Sequence, residues 1–292
     1  GAGGAGGARR PAAATKLEDH PMFRWCATAP EGNCTALDIV QQGVTGTIPA
    51  ELGALSSLTR IALFGNALSG TIPAELSMLE NLKELYLYNN SLTGAVPGEL
   101  GELPALETLA LFNNELSGQI PAGLGGAAAL TKIDLSNNAL TGAIPGSLGQ
   151  LEGLQSLYLQ SNALEGNVPP ALGGLERLTE LSLASNKLTG LPRALAEGLP
   201  ALQRLDISGN RLTGRFPASL ASLSSLQHLY IYNNALVGPL PPELAQLTNL
   251  EFFYAGGTNN ITGRLPEELE KIVGSDFLPT NPRGTREAQG GR

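Results

Sequence analysis

Residues 58–81, LTRIALFGNALSGTIPAELSMLEN, form one complete unit of a pattern that runs through most of the chain. Asn66, Asn90, Asn114, Asn138, Asn162, Asn186, Asn210 and Asn234 recur every 24 residues, and a glycine follows each by four, from Gly70 to Gly238. Pro73, Pro97, Pro121, Pro145 and Pro169 keep the same step, and Pro217 and Pro241 resume it. The consensus is L-x-x-L-x-L-x-x-N-x-L-x-G-x-[I/V]-P-x-x-L-x-x-L-x-x. A fixed period of this length is the signature of stacked supersecondary units.

Each position has a physical role. Residues 60–64 alternate apolar and other side chains with period two, as a strand with one buried face does. The asparagine that follows stands at a turn, where its amide both donates to and accepts from backbone groups leaving the strand. Stacking aligns these amides into a buried structural ladder. The glycine permits a tight or left-handed turn, and proline fixes φ where the chain starts back along the convex side. Leu76 and Leu79 then point inward and close the coil. The expectation is an α/β solenoid, mainly β with short 3-10 or helical turns. It would be a right-handed arc of about ten 24-residue coils with a parallel sheet on its concave side. With strands about 4.8 Å apart the row spans about 45 Å.

Two units depart from the rule. After Gly190 one residue is missing, and an extra residue in AEG restores the period before Leu199. The last unit, FFYAGGTNN, carries one extra residue before Asn259. Such slips fall in loops, and terminal repeats are often atypical.

Composition excludes some functions. The net charge of −8 disfavours a nucleic-acid partner, because phosphate binding needs clustered Lys and Arg. No stretch approaches the roughly 18 apolar residues needed to cross a bilayer. Residues 1–20 open with GAGGAGGARRPAAATK, without an apolar signal core; this reads as a flexible leader, with the end of an organelle transit peptide as the other reading. The pattern stops at Val273, so residues 273–292 read as a flexible tail. The organisation is therefore a leader (1–20), an N-terminal cap (21–36), the solenoid (37–272) and a tail (273–292).

The segment [T/S]-G-x-[I/V]-P resembles the plant-type leucine-rich repeat of receptor-kinase ectodomains and polygalacturonase-inhibiting proteins, with algal and oomycete relatives. LYLYNNSLTGAVP (85–97) and LYIYNNALVGPLP (229–241) carry the likeness most closely, and it extends over about residues 23–272. It implies a short second strand at the G-x-I-P segment. It also implies that PMFRWCATAPEGNCTA (21–36) is a shortened cap, with Trp25 over the apolar end and Cys26 paired with Cys34. Two reduced, buried thiols are the other reading of these cysteines. A disulfide would place the protein outside the cell or in an oxidising organelle lumen such as that of the thylakoid. The family's additional cap cysteines are missing here.

Residues between the strand leucines face the concave surface, where solenoids usually bind. All six tyrosines of the chain fall on such positions. Phe64, Tyr86, Tyr88 and Phe112 form one expected cluster, and His228, Tyr230, Tyr232, Phe252 and Tyr254 another. Between them lie Tyr158 and a polar stretch with Lys132, Asp134, Arg204 and Asp206. Tyrosine offers large apolar area, a polar tip and little entropy to lose, although aromatics also pair across strands without any ligand.

Parts for catalysis are lacking. The histidines are His20 and His228, neither with an evident nucleophile, and no phosphate-binding glycine loop occurs. No metal site or cofactor is expected. Sequons stand at Asn33, Asn89 and Asn260. The leading expectation is a non-catalytic module that binds a protein or peptide, ahead of an oligosaccharide, on the concave face. The alternative is a docking subunit of a larger complex, possessing no transmembrane segment of its own and using its caps and tails.

Overall fold

A computed structural model describes residues 14–30 and 33–273. Residues 1–13 of the expected leader and 274–292 of the expected tail, on which a docking role through the tails would rest, lie outside the described residues. Ten three-residue strands, from Ala36–Asp38 through Glu84–Tyr86 to Phe252–Tyr254, form one parallel sheet in chain order. Neighbouring strands pair with an offset of one repeat, as in Ile61 opposite Leu85 and Leu181 opposite Leu205. The middle residue of every strand is buried, and so are the inward leucines of each coil. Together they make one continuous core from end to end.

The asparagine ladder is the polar seam of that core. In one rung, Asn90 Nδ2 donates to Leu87 O of its own coil and to Leu63 O of the preceding one, both at 3.0 Å. Its Oδ1 accepts from Leu68 N at 3.1 Å. The same triple pattern recurs at the other predicted positions, as at Asn186 and Asn234. Asn259 joins the ladder despite the extra residue before it, bonding Ile231 O, Ala255 O and Leu236 N. The slip is absorbed in the turn at 256–258, as expected for an insertion.

The residue just ahead of most rungs has positive φ: Asn89, Asn113, Asn137, Ser161, Ser185 and Asn233 lie between 52° and 57°. Asparagine tolerates this left-handed conformation better than most residues, which explains the Asn-Asn dipeptides.

Beyond the ladder, Pro73 (φ −68°, ψ 135°) launches the 3-10 helix Ala74–Met78, and equivalent prolines launch the others. The second strands implied by the family resemblance are present. They form a seven-stranded parallel sheet from Thr45–Thr47 to Lys187–Gly190 and a separate three-stranded one from Thr213–Arg215 to Asn260–Thr262. The break falls at the coil with the deletion after Gly190. There the extra residue also turns the usual 3-10 helix into a short α-helix, Arg193–Glu197.

The N-terminal cap differs from expectation in two respects. Trp25 does not cover the apolar end; it is 53% exposed on the helix Pro21–Thr28, which instead buries Phe23 and Cys26. That follows from helical geometry, since Phe23 and Cys26 lie three apart on one face and Trp25 points elsewhere. Packing also starts earlier than residue 21. Leu17 is buried, and Lys16 bridges in parallel to Thr45. Cys26 and Cys34 form a disulfide across the cap. At the other end the helix Glu267–Val273 closes the last coil by burying Leu269.

Candidate recognition surface

The strand pairing sets the concave side chains in rows that cross the sheet. One row runs Arg60, Glu84, Thr108, Lys132, Ser156, Glu180, Arg204, His228, Phe252, and the next Tyr86, Ala110, Asp134, Tyr158, Ser182, Asp206, Tyr230, Tyr254. Because each strand leucine points inward, its neighbours in sequence must point out.

All four residues of the expected first cluster come together. Tyr88 is sandwiched between Phe64 and Phe112, both ring pairs stacked with centroids 4.3 Å apart. Tyr86 meets Tyr88 edge to face at 6.4 Å, and the Arg60 guanidinium lies 5.5 Å from the Tyr86 ring centre. Arg60 also bridges Asp38 at 3.0 Å and Glu84 at 3.5 Å. Burial raises the Tyr88 phenol above its usual range; Tyr86 is raised by burial and then by the Glu84 charge. Such ring pairs contribute about 0.5–1.5 kcal/mol each beyond their buried area. The column therefore stabilises the sheet as well as presenting a surface. Both faces of Tyr88 are covered, so what it offers outward is ring edge and hydroxyl.

The second cluster divides in two. His228 stacks on Phe252 at 4.8 Å and lies 6.3 Å from Tyr230, while Tyr232 packs edge-on to Tyr254 at 5.0 Å. Phe252 and Tyr254 are each 54% exposed, more open than the first cluster. The His228 Nδ1 atom is buried without a hydrogen-bond partner.

Between the clusters the polar groups are organised around Tyr158. Its hydroxyl donates to Glu180 Oε2 at 2.7 Å, and Lys132 Nζ stands 5.5 Å from its ring centre. Burial, then the bond to Glu180, pushes the Tyr158 phenol up to about 12. Arg204 reaches the same Glu180 oxygen at 3.9 Å. Asp206 braces its own strand end, where its Oδ1 accepts from Ser208 N and Ser208 Oγ, as Asp134 does from Ser136. The sequence pattern did not single out Glu180 or Glu84. The signal was there, as an acidic residue one repeat away from an arginine in the same row.

Among the described residues no group of three or more His, Cys, Asp and Glu side chains is placed to hold a metal ion, and no helix is long and apolar enough to cross a membrane.

The repeat geometry, the amide ladder and the open concave sheet define a repeat solenoid, and comparison with known proteins identifies the class. The family model described as leucine rich repeat matches residues 56–116, 121–164 and 176–236. That is more than half of the chain, and the protein belongs to the leucine-rich-repeat family, whose repeat domains are typically non-catalytic. Within it the likeness is to plant receptor-kinase ectodomains. The TDR receptor matches with a TM-score of 0.74 and 30% identity over 82% of this chain and 46% of that one. The plant peptide hormone receptor RGFR1, in complex with RGF2, matches at 0.70 and 30%, over 82% and 46%. The ectodomain of the Arabidopsis receptor kinase HAESA, in complex with a peptide hormone ligand, matches at 0.66 and 30%, over 82% and 44%. The chain thus spans less than half the length of these receptors. No curated protein matches it.

Proposed function

We propose that this chain is a recognition module that binds a peptide, or a peptide-like segment of a protein, along its concave face. The observation that carries the reading is the pair of aromatic groups on that face, Phe64–Tyr88–Phe112 at one end and Phe252 with Tyr254 at the other. Exposed aromatic area on an otherwise polar sheet is a binding signal. The likeness to receptors that hold peptide hormones supports the same choice. At the Tyr88 column a peptide is preferred to an oligosaccharide, because sugars pack their C–H faces on open aromatic planes and the Tyr88 planes are both occupied. The Cys26–Cys34 disulfide and the likeness to ectodomains favour an extracellular or otherwise oxidising compartment.

The test is selection of a displayed random-peptide library on the intact chain. The selected peptides are then titrated against two double variants, Tyr86→Ala with Tyr88→Ala and Tyr230→Ala with Tyr232→Ala. Circular dichroism verifies that both variants fold. Loss of roughly tenfold or more in affinity in either pair supports the reading. Unchanged affinity in both removes the concave face from the account.

A further inference from the structure

We infer that the centre of the concave face, between the two aromatic groups, seats two basic side chains of the bound peptide, one at Asp134 and one at Asp206, three strands or about 14 Å apart, with Gln160 between them as a neutral hydrogen-bond partner. This deepens the peptide-binding reading and rests on it.

Three observations lead here. In the row that carries Phe64, Tyr88 and Phe112 at one end and Tyr232 at the other, the intervening positions are Ser136, Gln160, Ala184 and Ser208. Ser136, Ala184 and Ser208 are small and buried. The aromatic residues therefore stand as walls at either end of a trough. Phe112 and Tyr232 are five strands apart, about 24 Å, a span that an extended chain of about seven residues covers.

On the floor of that trough, Gln160 Oε1 is buried and has no hydrogen-bond partner. A polar atom removed from water and left unpaired is a standing cost that a ligand can relieve.

The charges decide what kind of ligand group is wanted. Asp134 and Asp206 each fix Oδ1 on the backbone and hydroxyl of the serine two residues on. Their second oxygens carry no hydrogen bond or ion pair among the described residues. The nearby cations are otherwise placed: Lys132 lies over the Tyr158 ring, and Arg204 reaches toward Glu180. The Tyr158 hydroxyl, already donating to Glu180, is held protonated by its burial first and then by Glu180, with a smaller contribution from Asp134. A guanidinium or ammonium group supplies several donors and a positive charge at once. The aromatic walls would then take apolar residues on either side of the two basic ones.

The experiment uses the intact chain and a displayed library of random peptides about twelve residues long, selected in parallel on the wild type and on the double variant Asp134→Asn with Asp206→Asn. Asparagine keeps an oxygen for Ser136 and Ser208, so the local turn is preserved while both charges go. The expected result is enrichment on the wild type of peptides with two Arg or Lys residues about four positions apart, flanked by apolar residues. Their affinity should fall about tenfold or more on the double variant, and wild-type binding should weaken with added salt. Gln160→Ala should weaken the same peptides without changing the salt dependence. Enriched peptides without a basic residue, or a basic preference that survives in the double variant, would overturn this inference and leave peptide binding standing. Failure to enrich any peptide would overturn both.

Discussion

Tyr158 donates its phenolic hydrogen to Glu180 Oε2 across adjacent strands of the concave sheet, at 2.7 Å. The bond ties the only tyrosine outside the two aromatic groups to a carboxylate that Arg204 also approaches. It has a measurable consequence, because ionising that phenol would place a second negative charge beside Glu180.

The Tyr158 phenol is pushed from 10.0 up to about 12, by burial first and then by Glu180. An acid whose folded value is raised keeps its proton longer in the native state than in the unfolded one. Above pH 10 the native protein therefore binds more protons than the unfolded chain, and stability falls as pH rises from about 10 toward 12. Below that window the contribution is constant. Spectrophotometric titration of tyrosinate should show a late step near 12 that disappears in Tyr158→Phe. In Glu180→Gln, which keeps the acceptor but removes the charge, the step should move down. A titration identical in wild type and Glu180→Gln would mean that the Glu180 charge adds nothing to the shift.

Asn186 is a buried rung whose Nδ2 donates to Leu159 O, Leu183 O and Ala184 O and whose Oδ1 accepts from Leu164 N. Asn186→Ala leaves those backbone groups unpaired in the core and should cost about 1–3 kcal/mol in denaturant unfolding. Asn66 closes the ladder toward the first coil and is more exposed than Asn186. Water can reach its partners, so Asn66→Ala should cost less. Equal losses at the two positions would show that burial does not govern the rungs.

Convex packing rests on glycine at particular places. A Cβ on Gly101 would overlap the carbonyl oxygen of Gly123 in the next coil, whereas one on Gly98 would meet only Pro121 Cβ at an ordinary 3.5 Å. Gly101→Ala should therefore force neighbouring 3-10 helices apart and cost about 1–3 kcal/mol. Gly98→Ala should be nearly neutral. Thermal unfolding of the two variants side by side checks the contrast.

Ser185 holds φ at 54° just before the Asn186 rung, where most other coils place Asn or Gly. A side chain with a Cβ costs roughly 1–2 kcal/mol in this region, partly offset on mutation by glycine's greater freedom in the unfolded chain. Ser185→Gly should stabilise by roughly 0.5–1 kcal/mol. A destabilised variant would mean that the Ser185 hydroxyl makes a contribution its exposed position does not reveal.

The legibility of these features in the sequence follows from periodicity. Asn90 and Leu85 could be assigned because every coil repeats their roles, so chance and function separate cleanly. The second-sheet break was visible only as a missing residue after Gly190; that it parts two sheets depends on backbone geometry no residue type announces. Leu17 and Phe23 escape such a reading because the cap occurs once and has no period to betray its buried face. Trp25 misleads for the same reason, since a lone tryptophan beside cysteines reads as core until the helix face is known. On the concave side, the aromatic positions were legible from strand alternation. The stacking of Phe64, Tyr88 and Phe112, which turns their edges outward, depends on rotamers and was not.

That exposed Trp25 makes the cap separately observable. It is the single tryptophan of the chain and adjoins Cys26 in the cap helix, while the tyrosines lie along the concave sheet. The Cys26–Cys34 link closes a short ring, worth about 2–3 kcal/mol in the chain-entropy account. A solenoid's end coil has one neighbour instead of two, so a weakened cap can open without the rest. In the oxidised protein, tryptophan fluorescence and far-ultraviolet circular dichroism should change together on denaturation. In the Cys26→Ser, Cys34→Ser variant the tryptophan signal should change first, at lower denaturant, with the main transition shifted less. Coincident transitions in the variant would show that the cap unfolds only with the solenoid and that Leu17 and Phe23, not the disulfide, hold it in place.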